Sequence, residues 1–173
     1  MVGSATDVVE AYSRKVEIDR QEDVDPSSRS GSGEGEVTLI EVLDASGETE
    51  AVRARDAVTV RVHYTMNQPI EQPVFGVAGH TLDGIEVSAA ISRITFIPDK
   101  LDDTGFVDMH VPALVLLPGT YDITAYITNF GGRPPVRLPL PGVPVQGGPG
   151  RTSCHGSYGG VMSLGATWDL RTF

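Results

Sequence analysis

Residues 112–129, PALVLLPGTYDITAYITN, carry two patterns separated by a corner. The first half is apolar without alternation, Pro118-Gly119 sets a tight turn, and the chain then alternates apolar with polar side chains. This predicts a strand over 119–129. Tyr121, Ile123, Ala125 and Ile127 share one face of it, and Asp122, Thr124, Tyr126 and Thr128 share the other. The first face belongs to a core, which Val115 to Leu117 approach from the far side of the corner. The second is a polar sheet surface bearing one aromatic ring, as in an antiparallel sheet wetted on one side.

The same period of two recurs on both sides of this stretch. Short β-branched segments punctuated by Gly, Pro, Asp and Asn predict strands at 37–44, 57–66, 73–80, 85–97, 105–111 and 160–170. No helical pattern lies between them, so the expected fold is all-β: an antiparallel β-sandwich of the jelly-roll or immunoglobulin-like kind. Residues 131–159 are dense in proline and glycine. Proline cannot donate to a ladder, so this segment reads as an elaborated loop with at most a short edge strand near Val136 to Leu140.

Upstream of the sandwich the pattern changes twice. Between Thr6 and Ile18 the apolar residues Val8, Val9, Tyr12 and Val16 fall at helical spacing, with Thr6 or Asp7 as N-cap. Residues 19–36, DRQEDVDPSSRSGSGEGE, contain one apolar side chain, Val24, and read as a flexible linker that cannot offset its ordering entropy by burial. The expected organisation is a helix within 1–18, a linker over 19–36 and a sandwich over 37–173.

Composition narrows the function classes. The chain has 173 residues, enough for a single core. Its 20 Gly and 12 Pro alongside one Trp fit a turn-rich protein with few helices. A net charge of −10 with 13 dispersed Lys and Arg repels phosphate backbones, so nucleic acid is not an expected partner. Cys154 is the only cysteine, which excludes an intrachain disulfide and favours a reducing compartment. The N-terminal segment lacks a basic stretch followed by an apolar core. The apolar run from Val111 to Pro118 is too short to span a bilayer, so a soluble cytoplasmic domain is expected.

Four segments in order resemble one family, the C-terminal carbohydrate-binding domain of Wzt-type ATPases of polysaccharide-exporting ABC transporters. VTLIEVLDASGE is similar to the family's first strand and turn, and PVFGVAGHTLDGIEV to its Phe-Gly strand and Asp-Gly turn. LVLLPGTYDITAYITN resembles its Leu-Pro-Gly-x-Tyr corner, and GVMSLGATWDL its closing strand with a Trp. The helix TDVVEAYSRKV resembles the last helix of the upstream ATPase domain. The chain departs from the parent protein in lacking Gly-x-x-x-x-Gly-Lys-Ser/Thr, so it is not itself the ATPase, and the 131–159 segment is longer than the family pattern.

The resemblance implies a non-catalytic domain that recognises an export glycan such as O-antigen in the cytoplasm, at the inner membrane. It would bind glycan on the concave face of a jelly-roll sandwich. Its implied partners are the polysaccharide, the upstream ATPase domain, the transporter's membrane subunit and a second copy in a homodimer. A structural or dimerising module that touches no sugar is the alternative.

Sugar binding needs planar hydrogen-bonding groups at the hydroxyls and an aromatic plate under the C–H face of the ring. Arg61, His63, Asp122, Thr124 and Tyr126 are of those types, provided the polar face of 57–66 meets that of 119–129. The same alternation also describes a solvated outer face, and both readings stay open.

The remaining candidates read structurally. His63, His80, His110 and His155 lack short ligand spacing, so neither metal nor another cofactor is expected. Asp83-Gly84 reads as a turn, and Asp99, Asp102, Asp103 and Asp108 as a hydrophilic cluster rather than a hydrolase pair. Cys154-His155 lacks an orienting partner for a nucleophile. Trp168 alternates in phase with Met162, Leu164, Ala166 and Leu170, which favours burial.

Overall fold

A computed structural model of the chain describes residues 33–47, 51–92, 98–129, 136–146 and 164–172. The expected helix at 6–18, most of the expected linker, and Cys154-His155 lie outside the described residues. Eleven strands are present among those described: β1 (Gly35–Leu43), β2 (Val52–Arg53), β3 (Val58–Met66), β4 (Ile70–Glu71), β5 (Pro73–Thr81), β6 (Glu86–Ile91), β7 (Lys100–Leu101), β8 (Thr104–Val111), β9 (Gly119–Asn129), β10 (Val136–Gln146) and β11 (Thr167–Thr172).

The expected all-β class is observed. Strands β1-β3-β8-β11 form sheet A, antiparallel throughout. Strands β2-β10-β9-β5-β6 form sheet B, antiparallel except for the short β2–β10 pairing. A two-stranded ribbon of β4 and β7 forms a third sheet, and its Ile70 and Leu101 pack into the main core.

The alternation explains how the sheets face each other. On β3, Val58, Val60, Val62 and Tyr64 are buried and pack inward, while Thr59, Arg61 and His63 between them are half-buried on the outside. On β9, Ala125 and Ile127 are fully buried, with Ile123 packed against the same cluster. Phe75, Val77, Val107, Met109 and Trp168 belong to the same interior, with Val37 and Ile40 from β1 and Val111 from β8, and Leu164, Ala166 and Leu170 pack against it. A second cluster at one end joins Val52, Ala54, Val58, Leu114, Leu116 and Val145.

The corner before β9 is tied by its own side chain: the Tyr121 hydroxyl donates to the Leu117 carbonyl at 3.0 Å. Burial raises the Tyr121 pKa above its ordinary value. The preceding loop docks through backbone bonds, Arg55 N–H to the Leu114 carbonyl at 2.7 Å and Leu114 N–H to the Asp56 carbonyl at 2.9 Å. Leu114 and Leu116 are buried, but Leu117, expected to approach the core, is 76% exposed. The turn begins there, so the last residue before Pro118 is directed outward.

Several boundaries and one element differ from expectation: most strand ends move by a residue or two, and the strand expected at 160–170 is observed as Thr167–Thr172, residues 160–163 lying outside the described residues. β1 begins at Gly35 rather than Val37, because the Glu34 carbonyl accepts the N–H groups of Asn67 and Gln68 at 2.8 and 2.9 Å and draws that end of the expected linker onto the sheet. The strand expected at 85–97 is observed over Glu86–Ile91, and residues 93–97 of it lie outside the described residues. The larger correction is β10: the segment read as a loop over 131–159 contains an eleven-residue strand between β9 and β2 in sheet order. Its prolines are tolerated because β10 is edge-like. β9 pairs along it from Val136 to Val145, but among the described residues β2 engages only Val145 and Gln146 on the other flank, and a strand paired mainly on one side tolerates a missing N–H. The register shifts between Leu140 and Val143, where Pro141-Gly142 sits, as expected of a bulge.

Candidate functional site

The outer face of sheet B is built from the polar phase of β9 and the matching phase of β5. Register places Thr128 beside Val74, Tyr126 beside Gly76, Thr124 beside Ala78 and Asp122 beside His80. All four β9 residues are half-buried. Val74 and Ala78 are 4% and 6% exposed, yet neither belongs to the interior clusters, so the outer surface is itself covered at this point.

Tyr126 is part of that cover. A Cβ placed on Gly76 would lie 2.0 Å from Tyr126 Cζ and 2.4 Å from its hydroxyl oxygen. The far end of the ring therefore sits where a side chain at 76 would stand, and the ring's long axis runs across the sheet from β9 onto β5. Beside this apolar seat, β6 adds Ala89 opposite Ala78 and Ile91 opposite Gly76, and His80 Nε2 lies 3.9 Å from Glu86. Hydroxyls, a carboxylate, an imidazole and an aromatic surface thus share one shallow face, the mixture of groups that hydrogen-bonds and stacks on a sugar.

The outer face of sheet A is different. Arg61 Nε and Nη2 donate to Asp108 Oδ1 and Oδ2, both at 2.8 Å, and the guanidinium carbon lies 4.1 Å from the centre of the Phe106 ring. The bonds to Asp108 raise the Arg61 pKa. Asp108 itself is buried. His63 Nε2 is 2.6 Å from Glu41 Oε2, and its ring is tilted against Phe106. Next along the sheet, His110 lies between Thr59 Oγ1 at 3.0 Å and Asp169 Oδ2 at 3.2 Å. This Thr–His–Asp chain is open to water, with the Asp169 side chain 74% exposed, so it lacks the dry surroundings that activate a nucleophile.

The five expected sugar contacts therefore do not converge. Asp122, Thr124 and Tyr126 point outward from sheet B, and Arg61 and His63 point outward from sheet A. The full thickness of the sandwich separates them, since packed sheets alone stand about 10 Å apart. Both rows were assigned correctly to polar faces, but the alternation does not say to which sheet a strand belongs.

Other expectations resolve locally. Asp83-Gly84 is a turn, in which the Thr81 hydroxyl donates to Asp83, Gly84 N–H bonds the Thr81 carbonyl at 2.8 Å, and Gly84 takes a φ of 87°. Asp102 pairs with Lys100 at 2.5 Å, and Asp103 accepts the Thr104 N–H. Asp108 departs from the hydrophilic-cluster reading, being the buried partner of Arg61. Trp168 is buried opposite Met109. Among the described residues no three His, Cys, Asp or Glu are grouped to hold a metal ion, and no helix is long and apolar enough to cross a membrane.

A cavity of about 220 Å³ lies at the end of sheet A, bordered by Asp44, Thr59, His110 and Thr167. It is remote from the Tyr126 row. Shallow wet faces that grip a polymer need no deep cavity, so side-chain chemistry is the better guide here.

Fold and faces together define an antiparallel sandwich domain with one outer face locked by ion pairs and the other lined by small, hydroxyl and aromatic side chains. The chain belongs to the Wzt C-terminal domain family, whose model matches residues 26–134. Among solved structures it is similar to one described as the crystal structure of the C-terminal domain of wzt. That likeness has 13% identity and a TM-score of 0.59, and covers 75% of this chain and 87% of that one. No curated protein matches the chain.

Proposed function

We propose that this chain is a non-catalytic polysaccharide-recognition domain of an ABC transporter ATPase subunit. On this reading it binds the export glycan in the cytoplasm and couples recognition to transport. The observation that carries this reading is the half-buried row Asp122, Thr124 and Tyr126 beside the apolar strip of β5. Thr124 and Asp122 supply hydrogen bonds to hydroxyls, and Tyr126 supplies an aromatic surface. Shallow sites of this kind hold a sugar by many weak contacts, giving affinities on the order of micromolar to millimolar. Joining the domain to an ATPase by a linker would raise the local glycan concentration at the transporter.

Arg61 and His63 are assigned to the structure of sheet A instead, because that outer face lies across the sandwich from the Tyr126 row and Arg61 is bonded twice to buried Asp108. Titration of the protein with surface polysaccharide from its source organism, followed by NMR, is expected to shift resonances of β5 and β9. Thr124→Ala and Asp122→Ala should each weaken binding several-fold, while His63→Ala leaves it unchanged. Absence of any shift with that polymer overturns the reading in favour of a scaffolding or dimerising module.

A further inference from the structure

Gly76 sits in the middle of β5, a strand whose residues from Pro73 to Gly79 are all buried. Glycine inside a strand weakens it and commonly marks a close approach by another group. Here that group is identified: Tyr126 Cζ, hydroxyl oxygen and Cε1 would all lie within 2.5 Å of a Cβ at this position. Such separations are far inside van der Waals contact, so any side chain at 76 displaces the ring. A displaced Tyr126 must leave the surface of β5, by rising from the sheet or by turning towards β10, because its own Cβ is fixed on the outward phase of β9 and Val74 and Ala78 occupy the floor on either side of Gly76.

Resting on the polysaccharide reading above, we propose that Gly76 is a positioning residue for glycan recognition. Its missing side chain lets Tyr126 lie across β5, and the laid-down ring is the plate on which a sugar stacks. A ring standing upright would present an edge and obstruct the row formed by Thr124 and Asp122. Laid down, it covers the strip of buried Val74 and Ala78 and itself becomes the apolar surface beside those polar groups. Sugar rings stack on aromatic faces through their C–H groups and hydrogen-bond at their periphery, which is the order of groups found here.

The test uses the intact protein and surface polysaccharide from the source organism, with affinity read by titration at a temperature where each variant is folded. Gly76→Ala is expected to weaken binding about tenfold and to shift the Tyr126 ring resonances in the free protein. Tyr126→Ala should weaken binding by a similar factor, and adding Gly76→Ala to it should cause no further loss, since the ring that the methyl displaces is gone. Tyr126→Phe keeps the plate and should retain binding, whereas Tyr126→Leu should lose it. That pair remains informative if Gly76→Ala does not fold.

Binding lost in Tyr126→Ala but intact in Gly76→Ala overturns the positioning role and leaves polysaccharide recognition standing. Equal binding by the Phe and Leu variants overturns the plate. Failure of the unaltered protein to bind the polymer overturns both readings together.

Discussion

On the outer face of sheet A, Arg61 directs two donors at one carboxylate and its flat surface at Phe106, and His63 meets Glu41. On the outer face of sheet B, Tyr126 bends over a glycine, and the strand beneath it is valine, glycine and alanine. Both faces arise from alternating strands of similar polarity. They differ in what the neighbouring strand offers: β8 places Phe106, Asp108 and His110 opposite β3, whereas β5 places only small or apolar residues opposite β9 until His80. A polar row facing complementary charges closes on itself. A polar row beside small residues leaves room above the strand for a ring to lie across it, as Tyr126 does over Gly76.

Asp108→Ala should separate the two faces most sharply. Asp108 is buried and bonded twice to Arg61, so its removal strands a guanidinium whose side chain is 30% exposed. Urea unfolding should show a loss of about 3 kcal/mol, the partial exposure of Arg61 keeping it at the low end for such pairs. Polysaccharide binding by the folded fraction should be unchanged. Replacing both partners with apolar residues should recover much of the loss, since the pair's own net contribution is small. Lost binding in a folded Asp108 variant would mean that the faces are coupled through the core.

Between the faces lies a group with the opposite problem. The Tyr64 hydroxyl is buried without a hydrogen-bond partner among the described residues, and burial, reinforced by the charges of Asp103 and Asp102, pushes its pKa up to about 12. The unfolded tyrosine titrates at 10.0. Below that pH both states keep the proton and the phenol adds no pH dependence. Above it the unfolded chain loses the proton first and binds fewer protons than the folded one, so stability falls as pH rises towards about 12. The accumulated loss from this group is about 2 to 3 kcal/mol. Tyr64→Phe should flatten the alkaline limb of the stability curve by that amount. At neutral pH it should change stability by no more than about 1 kcal/mol, because no hydrogen bond is given up.

Much of this architecture was legible in the residues. Seven strands, the inward phase of β3 and β9, the corner at Pro118-Gly119 and the burial of Trp168 all follow from period-two alternation and turn chemistry, which are local. Sheet membership is not local. Nothing in the alternation of Arg61 and His63 distinguishes a strand beside β8 from one beside β5, so whether the two polar rows share a surface is not legible in the residues, and the topology separates them. β10 was obscured because proline content argues against a strand only where both flanks are paired. The Gly76 signal was present as a glycine inside a strongly apolar strand, but its partner became identifiable only once the register set Tyr126 beside it.

The smallest expected effect tests whether sheet A's outer face meets solvent. The Glu41 and His63 side chains are 39% and 28% exposed, so water screens their contact, and such pairs contribute on the order of 0.5 kcal/mol. Glu41→Gln should change stability by no more than that, and added salt should shrink the difference further because exposed charges are screened. Two carboxylate contacts of β3, the buried one from Asp108 to Arg61 and the wet one from Glu41 to His63, should differ several-fold in the cost of breaking them. If Glu41→Gln instead costs as much as Asp108→Ala, and does so independently of salt, then the Glu41 and His63 pair is dry in solution. A face that is exposed in the isolated chain would then be covered in the assembled protein, and sheet A rather than sheet B would be the surface meeting a partner.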